Sequence, residues 1–162
     1  MKKLVKLSSV LLIVLLICSG CSEEDTKLNK KENESVLNCT RETASQNNLK
    51  TSLKYSIYYD GDYVTRTVSI EKVISDDNNV LEEYKKAYEN VFSTYKDIAY
   101  YDNKVERDGN TVTSTTVINY EKVDTKRILE IEGEEGNVFE SDGKVKKDTL
   151  VSLYKKYGAK CE

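Results

Sequence analysis

The chain is 162 residues long, with 33% charged and 38% hydrophobic residues, a composition that predicts one folded domain with a modest core. Its 25 basic and 28 acidic residues give a formal net charge of −3. The sequence contains no His, Pro or Trp. Because no imidazole is available as base or ligand, Ser-His and Cys-His nucleophilic pairs and mixed Cys/His zinc sites are excluded.

The first twenty residues have the organisation of a secretory signal peptide. Three lysines lie within the first six positions, and the apolar run over residues 10–17 is too short to span a bilayer as a mature helix. Ser19 and Gly20 then precede Cys21, an order that resembles the lipobox of bacterial lipoproteins. The resemblance implies that residues 1–20 are removed and that Cys21 carries a diacylglyceryl group on the extracytoplasmic face of the cell membrane. An ordinary cleaved signal peptide and an uncleaved anchor are the alternatives.

Residues 21–37 are predicted to be a flexible tether. They are polar and charged, so they cannot bury enough surface to offset their ordering entropy. A chain of this length reaches about 20 Å from the bilayer, and a short frayed helix is the alternative. Removal of residues 1–20 takes away three lysines and leaves 22 basic and 28 acidic residues, a net charge near −6. This charge argues against a nucleic-acid partner and against electrostatic docking on anionic lipid, so the acyl chains must hold the protein.

The sequence contains four cysteines, and two of them remain available for a disulfide. Cys18 leaves with the signal peptide and Cys21 is modified, so Cys39 and Cys161 are the one possible pair. An extracytoplasmic location permits oxidation, and a bond between these positions would tie together the two ends of the folded domain. The chain-entropy model gives about 4–5 kcal/mol for so long a loop. Two reduced, unrelated thiols are the alternative.

Residues 51–59 alternate between two sets of side chains, as a half-buried strand does. Asp60-Gly61 follows and predicts a two-residue hairpin turn of type I′, which needs a positive φ at both positions. A two-residue loop also fixes the register of the two strands. The predicted pairs on one face are Ile57 with Val64, Tyr55 with Arg66, and Leu53 with Val68.

A helical period replaces this alternation over residues 79–99, where the apolar side chains fall on one stripe. Asn79 with Glu82 suits a capping box, and Asp76 and Asp77 just before them also favour a helix start. We therefore expect one long amphipathic helix after the first hairpin.

A second hairpin and a C-terminal helix complete the predicted domain. Asp108-Gly109 predicts the second turn, with Val105 facing Val112 and Tyr101 facing Thr116. The remaining signals are a short helix capped at Asp124-Thr125, a turn at Asp142-Gly143 between Phe139 and Val145, and a final helix from Asp148 to Gly158. We predict a single α+β domain over residues 38–162. Its antiparallel sheet is built from two β-hairpins, with the long helix and the C-terminal helix packed on one face.

These elements resemble the YehR-like family of small bacterial lipoproteins of unknown function. The resemblance depends on Cys21 in its signal context, on Asn38-Cys39-Thr40, on the hairpin Tyr58-Tyr59-Asp60-Gly61-Asp62-Tyr63-Val64-Thr65, and on Tyr120-Glu121-Lys122-Val123-Asp124. It covers about residues 38–160. Because these motifs are turns, strands and caps, the resemblance implies a fold and a location but no activity.

Acidic side chains are the first candidates for chemistry. A cation such as Ca²⁺ would suit the stretch Glu130, Glu132, Glu134, Glu135, Glu140 and Asp142. This stretch lacks the spacing of an EF-hand loop, so a solvated acidic loop is the favoured interpretation. Pairs of carboxylates that glycoside hydrolysis would need, such as Glu82/Glu83 and Glu106/Asp108, fall on predicted helix surfaces or turns, and we predict no enzyme.

Tyrosine is the second candidate, with 12 copies against two of Phe. Tyrosines on one sheet would offer a surface for stacking on a glycan or peptide. The competing interpretation is that Tyr replaces scarce Phe and Trp in the core and in cross-strand pairs. The tyrosines concerned are Tyr55, Tyr58, Tyr59, Tyr63, Tyr100, Tyr101 and Tyr120.

We therefore expect a membrane-anchored extracytoplasmic lipoprotein that is a non-catalytic binding or interaction module of the cell envelope, with no metal or cofactor. Its expected partners are the membrane, through the N-terminal lipid, and an envelope protein, peptide or glycan, but no nucleic acid. The alternative is a structural or assembly factor that supports another envelope protein and binds no small ligand.

Overall fold

The computed structural model describes residues 33–43, 48–133 and 137–162. The predicted signal peptide, Cys21 and most of the predicted tether lie outside these residues. The elements in chain order are β1 (Ser35–Glu42), β2 (Leu49–Asp60), β3 (Tyr63–Ser75), α1 (Asn78–Ser93), β4 (Tyr101–Asp108), β5 (Thr111–Asn119), α2 (Thr125–Glu132), α3 (Lys147–Lys156) and β6 (Lys160–Cys161).

Within the described residues, six strands form one sheet in the order β4-β5-β3-β2-β1-β6, and every neighbouring pair is antiparallel. This sheet and the three helices confirm the predicted α+β class. The two predicted hairpins account for four of the strands. The other two, β1 and β6, lie beside β2 and extend the sheet toward the chain ends.

β1 begins within the segment predicted as tether. Its first residue is Ser35, and Glu34 before it is already buried. Leu37 pairs with Ile57 of β2 and packs against the core, so apolar burial holds this part of the chain in the sheet. The folded domain therefore begins before the predicted boundary at residue 38.

The first hairpin has a different register from the predicted one. Asp60 pairs with Tyr63, so the loop consists of Gly61 and Asp62. Gly61 has φ +57°, but Asp62 does not have a positive φ, and the turn is therefore not of the predicted type I′.

A β-bulge close to this turn changes which side of the sheet β3 residues face. The neighbouring pairs Tyr59–Val64 and Tyr58–Arg66 leave Thr65 as the extra residue. An odd shift in register moves side chains to the opposite face, so the predicted partners in this hairpin are wrong. The observed pairs are Ile57 with Thr67, Tyr55 with Ser69, and Leu53 with Glu71.

The turn between β4 and β5 is also one residue later than predicted, because Asp108 pairs with Thr111. The predicted partners in this hairpin are therefore wrong as well. The displacement in register is even, so each side chain keeps its predicted face. The observed pairs are Val105 with Ser114, and Tyr101 with Ile118.

α1 is shorter than the predicted helix and ends at Ser93. Its N-cap is Asp77, whose carboxylate accepts a hydrogen bond from the backbone N–H of Asn79, so the predicted capping box is wrong. Leu81 is buried under the helix, whereas Val91, which lies on the predicted apolar stripe, is 56% exposed.

The C-terminal part contains a helix, a bridge and a second helix. Asp124 caps α2 as predicted, through a hydrogen bond from a backbone N–H. Phe139 and Val145 form an antiparallel bridge across the predicted turn. α3 begins at Lys147, so Asp148 lies inside its first turn and does not cap it.

The sheet has two faces with different surroundings. On the helix face, α1 covers Val73 and Val112, α2 packs near Ile118, and α3 covers Ile57. No described helix packs on the other face, which we call the open face. Its residues are Val36, Asn38, Thr40 and Glu42 of β1, Lys50, Ser52, Lys54, Ser56, Tyr58 and Asp60 of β2, Arg66, Val68, Ile70, Lys72 and Ile74 of β3, Asp102, Lys104, Glu106 and Asp108 of β4, Thr111, Thr113, Thr115, Val117 and Asn119 of β5, Lys160 of β6, and Glu162, which pairs with Asn38.

Candidate functional site

The predicted lipid attachment site, Cys21, lies outside the described residues, as do Glu134 and Glu135 of the acidic stretch. None of the helices in the described ranges is both long enough and apolar enough to cross a bilayer. The remaining candidate side chains all have described positions.

Cys39 and Cys161 lie at disulfide distance, with their sulfur atoms 2.05 Å apart. Next to them, Asn38 and Glu162 exchange both backbone hydrogen bonds, at 3.0 and 2.9 Å. The two cysteines therefore occupy a non-hydrogen-bonded pair of the β1–β6 ladder, the position where opposite side chains come closest. The pair joins the first strand of the domain to its last residues.

Three of the candidate tyrosines pack between the sheet and the helices. Tyr55 stacks on Tyr154 of α3 with ring centroids 3.8 Å apart, and Tyr101 stacks on Tyr95 at 4.6 Å. Burial raises the pKa of Tyr55 to about 12, and burial likewise raises the pKa of Tyr120 to about 12. These rings belong to the core, as the competing interpretation of the sequence predicts.

The other four candidate tyrosines lie nearer the surface, and each has a cation over its ring. Tyr58 and Tyr55 lie on opposite faces of the sheet, so the seven rings do not form one stacking surface. The cation-to-centroid distances are 3.7 Å from Arg66 to Tyr58, 4.8 Å from Lys147 to Tyr59, 5.0 Å from Lys144 to Tyr63, and 5.3 Å from Lys122 to Tyr100.

The described carboxylates of the acidic stretch have separate partners. Glu132 accepts a hydrogen bond from the Tyr95 hydroxyl at 3.1 Å. No group of three metal-ligating side chains is placed to hold an ion in the parts of the chain that the structure describes. The ion pairs are Glu130 with Arg127 at 2.6 Å, Glu140 with Lys146 at 3.2 Å, and Asp142 with Lys144 at 3.3 Å.

The candidate carboxylate pairs also face cations. Glu82 contacts Arg107 at 2.5 Å, and this contact ties α1 to the end of β4. Glu106 contacts Lys104 at 2.7 Å on the open face.

A cleft of about 470 Å³ lies beside the turn of the first hairpin. Its volume falls in the range of small-molecule sites. Three segments that are distant in sequence form its walls: the β2–β3 turn, the connection from β5 to α2, and the turn at 142–144. The lining residues are Asp60, Tyr63, Val64, Thr65, Tyr120, Glu121, Val123, Thr125, Asp142, Gly143 and Lys144.

Backbone contacts hold the walls of this cleft in place. The N–H of Tyr120 donates to the carbonyl of the bulged Thr65 at 2.8 Å, and the N–H of Val64 donates to Val145 at 2.9 Å. Gly143 has φ +82°, and a Cβ there would lie 3.1 Å from Oγ1 of Thr125. The close approach of these two segments therefore favours glycine at residue 143.

The cleft offers fixed charges and hydroxyl groups. The backbone N–H of Lys144 donates to Asp142 at 3.1 Å and is the main cause that lowers the pKa of this carboxyl group. Burial keeps the Tyr120 phenol neutral. A carboxylate with a lowered pKa and neutral hydroxyl groups suit the binding of a polar ligand.

The sequence indicates Asp60 and Asp142 as turn residues and does not indicate that they line one cleft. No spacing rule connects them, because the β-bulge at Thr65 and the Phe139–Val145 bridge bring the two turns together.

A second cleft of about 420 Å³ lies between the end of α1 and β4, beside Phe92 and Tyr101.

Comparison with solved structures identifies the NMR structure of E. coli YehR as similar, with a TM-score of 0.56 and 22% sequence identity over 79% of this chain and 90% of that chain. The NMR structure of a protein from Streptococcus pneumoniae TIGR4 has a TM-score of 0.49 and 16% identity over 82% of this chain and 87% of that one. No protein-family model matches the sequence, and no curated protein does. The likeness to YehR shows the fold alone, and it supports the YehR-like fold that the sequence motifs imply.

Proposed function

We propose that this protein is a membrane-anchored extracytoplasmic lipoprotein, held by a lipid on Cys21, whose domain is a non-catalytic binding module for a polar ligand of the cell envelope. The observation that carries the binding role is the cleft of about 470 Å³ between the two turns. Its size and its mixture of charged, hydroxyl and aromatic side chains suit a sugar or peptide. The lipid anchor is supported by the order of residues around Cys21.

Tyr63 is the side chain best suited to contact such a ligand. It is 38% exposed, lines the cleft, and lies close to Lys144 and Asp142. An exposed aromatic ring beside ionic groups offers both stacking and hydrogen bonding, the usual combination in glycan and peptide recognition.

The alternative role is that of an assembly factor that supports another envelope protein. The stacking of Tyr55 on Tyr154 of α3 favours this role, because that ring is packed in the core and is not available to a small ligand. A protein partner would need a surface, and the sheet has one face on which no described helix packs.

Affinity capture with the full chain separates the two roles. The chain, tagged at its C-terminus, is tested for retention on glycan and peptide resins and for co-purification of proteins from detergent-solubilised membranes. Retention on a resin that Tyr63→Ala abolishes supports the binding role. The matched control is Tyr157→Ala, which removes a tyrosine that is 61% exposed and does not line the cleft.

A stoichiometric protein partner that Tyr63→Ala leaves bound would favour the assembly role. Retention that survives Tyr63→Ala would remove the cleft as the binding site. If neither a resin nor a partner retains the chain, both roles are contradicted.

A further inference from the structure

The two edges of the sheet are protected to different degrees. At one edge, β6 pairs with β1, and Cys39 and Cys161 lie at disulfide distance across that pair. The other edge is β4, which is eight residues long and pairs with β5 without a bulge. Proteins commonly protect an edge strand by a short length, a bulge or a proline. β4 has none of these three features, so its outer side is open to pairing with another strand.

The register with β5 shows which backbone groups of β4 point outward. Asp108 closes a two-residue loop to β5, and the N–H of Asn119 donates to the carbonyl of Tyr100 at 3.0 Å. The even-numbered residues of β4 therefore direct their N–H and C=O groups toward β5, and the odd-numbered residues direct theirs outward. The outward backbone groups of Asn103 and Val105 have no hydrogen-bond partner among the described residues.

The second cleft, of about 420 Å³, lies beside these outward groups. Its walls are the C-terminal end of α1 with the residues that follow it, and the first half of β4. No residue of β5 lines the cleft, so it opens at the outer edge of the sheet. Successive side chains of a strand point to opposite faces, so a strand added outside β4 would direct every second side chain into the cleft.

The cleft offers apolar surface to those side chains. The ring of Tyr101 stacks on Tyr95 with centroids 4.6 Å apart and lies 6.4 Å from the ring of Phe92. Val105 adds an aliphatic side chain that packs with residues of α1. Burial of an apolar side chain against these groups would stabilise the added strand.

On the open face, the side chains of β4 are predominantly acidic. Asp102, Glu106 and Asp108 are exposed, and the one cation is Lys104, which contacts Glu106 at 2.7 Å. The open-face side chains of the neighbouring strand β5 are uncharged. Lys72 of β3 is two strand intervals, or about 10 Å, from β4. Basic side chains on an added strand would therefore meet complementary charge at this edge.

The charged groups on the cleft side do not oppose this arrangement. Arg107 is paired with Glu82, and Glu89 is paired with Lys85. Lys96 lines the cleft, but basic side chains on the open face of an added strand would point away from it.

A second copy of the chain is a poor occupant of this edge. Antiparallel pairing of β4 with the same strand of another copy can align Lys104 with Glu106, but that register also aligns Asp102 with Asp108. Like charges directly opposite one another destabilise a strand pair. A strand with basic side chains in place of these carboxylates would not meet this repulsion.

We propose that an extended segment of a second protein adds to β4 as a further antiparallel strand. Residues of the segment opposite Asn103 and Val105 exchange backbone hydrogen bonds with them and direct apolar side chains into the cleft. Residues opposite Asp102 and Glu106 carry Lys or Arg on the open face. The matching sequence is therefore basic, apolar, any residue, apolar, basic. This inference depends neither on the lipid of Cys21 nor on the cleft of about 470 Å³.

The test measures the fluorescence polarisation of fluorescein-labelled peptide amides mixed with the full chain in an uncharged detergent. The peptides are Lys-Xaa-Thr-Xaa-Lys, in which Xaa is Val, Leu or Phe. At least one of them should bind, and the matched peptides Glu-Xaa-Thr-Xaa-Glu and Lys-Ser-Thr-Ser-Lys should bind about tenfold more weakly. N-methylation of both Xaa residues, whose N–H groups face β4, should abolish binding, whereas N-methylation of the central Thr should not.

Two variants with equal changes in charge identify the edge responsible. Asp102→Lys/Glu106→Lys should reverse the preference, so that the Glu peptides bind and the Lys peptides do not. Glu42→Lys/Glu162→Lys, which changes exposed carboxylates at the opposite edge of the open face, should leave the preference unchanged.

Failure of every Lys peptide to bind would overturn the proposal, and a chain that then sediments as a dimer would assign the edge to a second copy. Equal binding of the Lys and Glu peptides would overturn the proposed chemistry of the partner. Binding that survives N-methylation of both Xaa residues would exclude strand addition. Binding that Tyr63→Ala abolishes would place the peptide in the cleft at the first hairpin and would also overturn the proposal.

Discussion

Glu34 and Arg66 form a buried ion pair that fastens the start of the domain to the bulge of β3. Their side chains are 2% and 7% exposed, and the hydroxyl of Thr65 donates a further hydrogen bond to Glu34 at 2.6 Å. The Nη1 atom of Arg66 is buried without a hydrogen-bond partner in the described part of the chain. Glu34 is therefore the main compensation for this guanidinium charge.

Replacement of the Glu34 carboxylate should destabilise the domain strongly. Glu34→Gln leaves the Arg66 charge buried and uncompensated, so we expect the free energy of unfolding to fall by about 3–5 kcal/mol. Glu42→Gln removes an exposed carboxylate from the last residue of β1 and should change the free energy of unfolding by less than about 0.5 kcal/mol. Urea unfolding of both variants checks this, and equal small losses would contradict it.

A disulfide bond between Cys39 and Cys161 should stabilise the folded domain, because it joins the first strand of the domain to its last residues. The two residues are 122 positions apart, so a covalent link restricts the unfolded chain, with about 4–5 kcal/mol as the upper estimate. Intact mass should increase by two hydrogen atoms on reduction, and reductant should lower the melting midpoint. The double variant Cys39→Ser/Cys161→Ser should not respond to reductant. Two thiols that react freely with an alkylating agent in the native, non-reduced protein would contradict the link.

Alkaline pH should destabilise the fold through its buried tyrosines. Burial raises the pKa of Tyr55 and Tyr120 from the ordinary value of 10.0 to about 12. The pKa of each phenol is therefore higher in the folded state than in the unfolded state. Its contribution to the free energy of unfolding is complete below about pH 10 and is lost as the pH rises toward 12. Urea unfolding at a series of pH values should show this fall, with a shallower slope for Tyr55→Phe. Constant stability from about pH 9 to pH 11 would contradict the burial of these phenols.

The strand β2 and the cap of α2 follow from local sequence signals, and the register of the first hairpin does not. Alternation over 51–59 is enough to predict a strand, but the bulge at Thr65 depends on the hydrogen bond that its carbonyl accepts from Tyr120, far along the chain. β6 has two residues and no periodicity, so its pairing with β1 decides its position. The cleft likewise depends on which segments of the chain become neighbours.

Chelation should leave the stability of the domain unchanged. The carboxylates of Glu140 and Asp142 have lysine partners, so we expect the acidic stretch to be a solvated loop that needs no cation. The melting midpoint should be the same with and without EDTA, and added Ca²⁺ should not raise it. A fall of many degrees on addition of EDTA would instead assign an ion site to this stretch.

The proposed lipid on Cys21 is the feature on which the proposed membrane location of the protein depends. The direct measurement is metabolic labelling of the full chain with a palmitate analogue. Labelled protein is expected from the unaltered chain and from Cys39→Ser/Cys161→Ser, because those cysteines are not the acceptor. Cys21→Ala should abolish the label. Label that persists in Cys21→Ala, or an unaltered chain that takes up none, would contradict the lipid anchor.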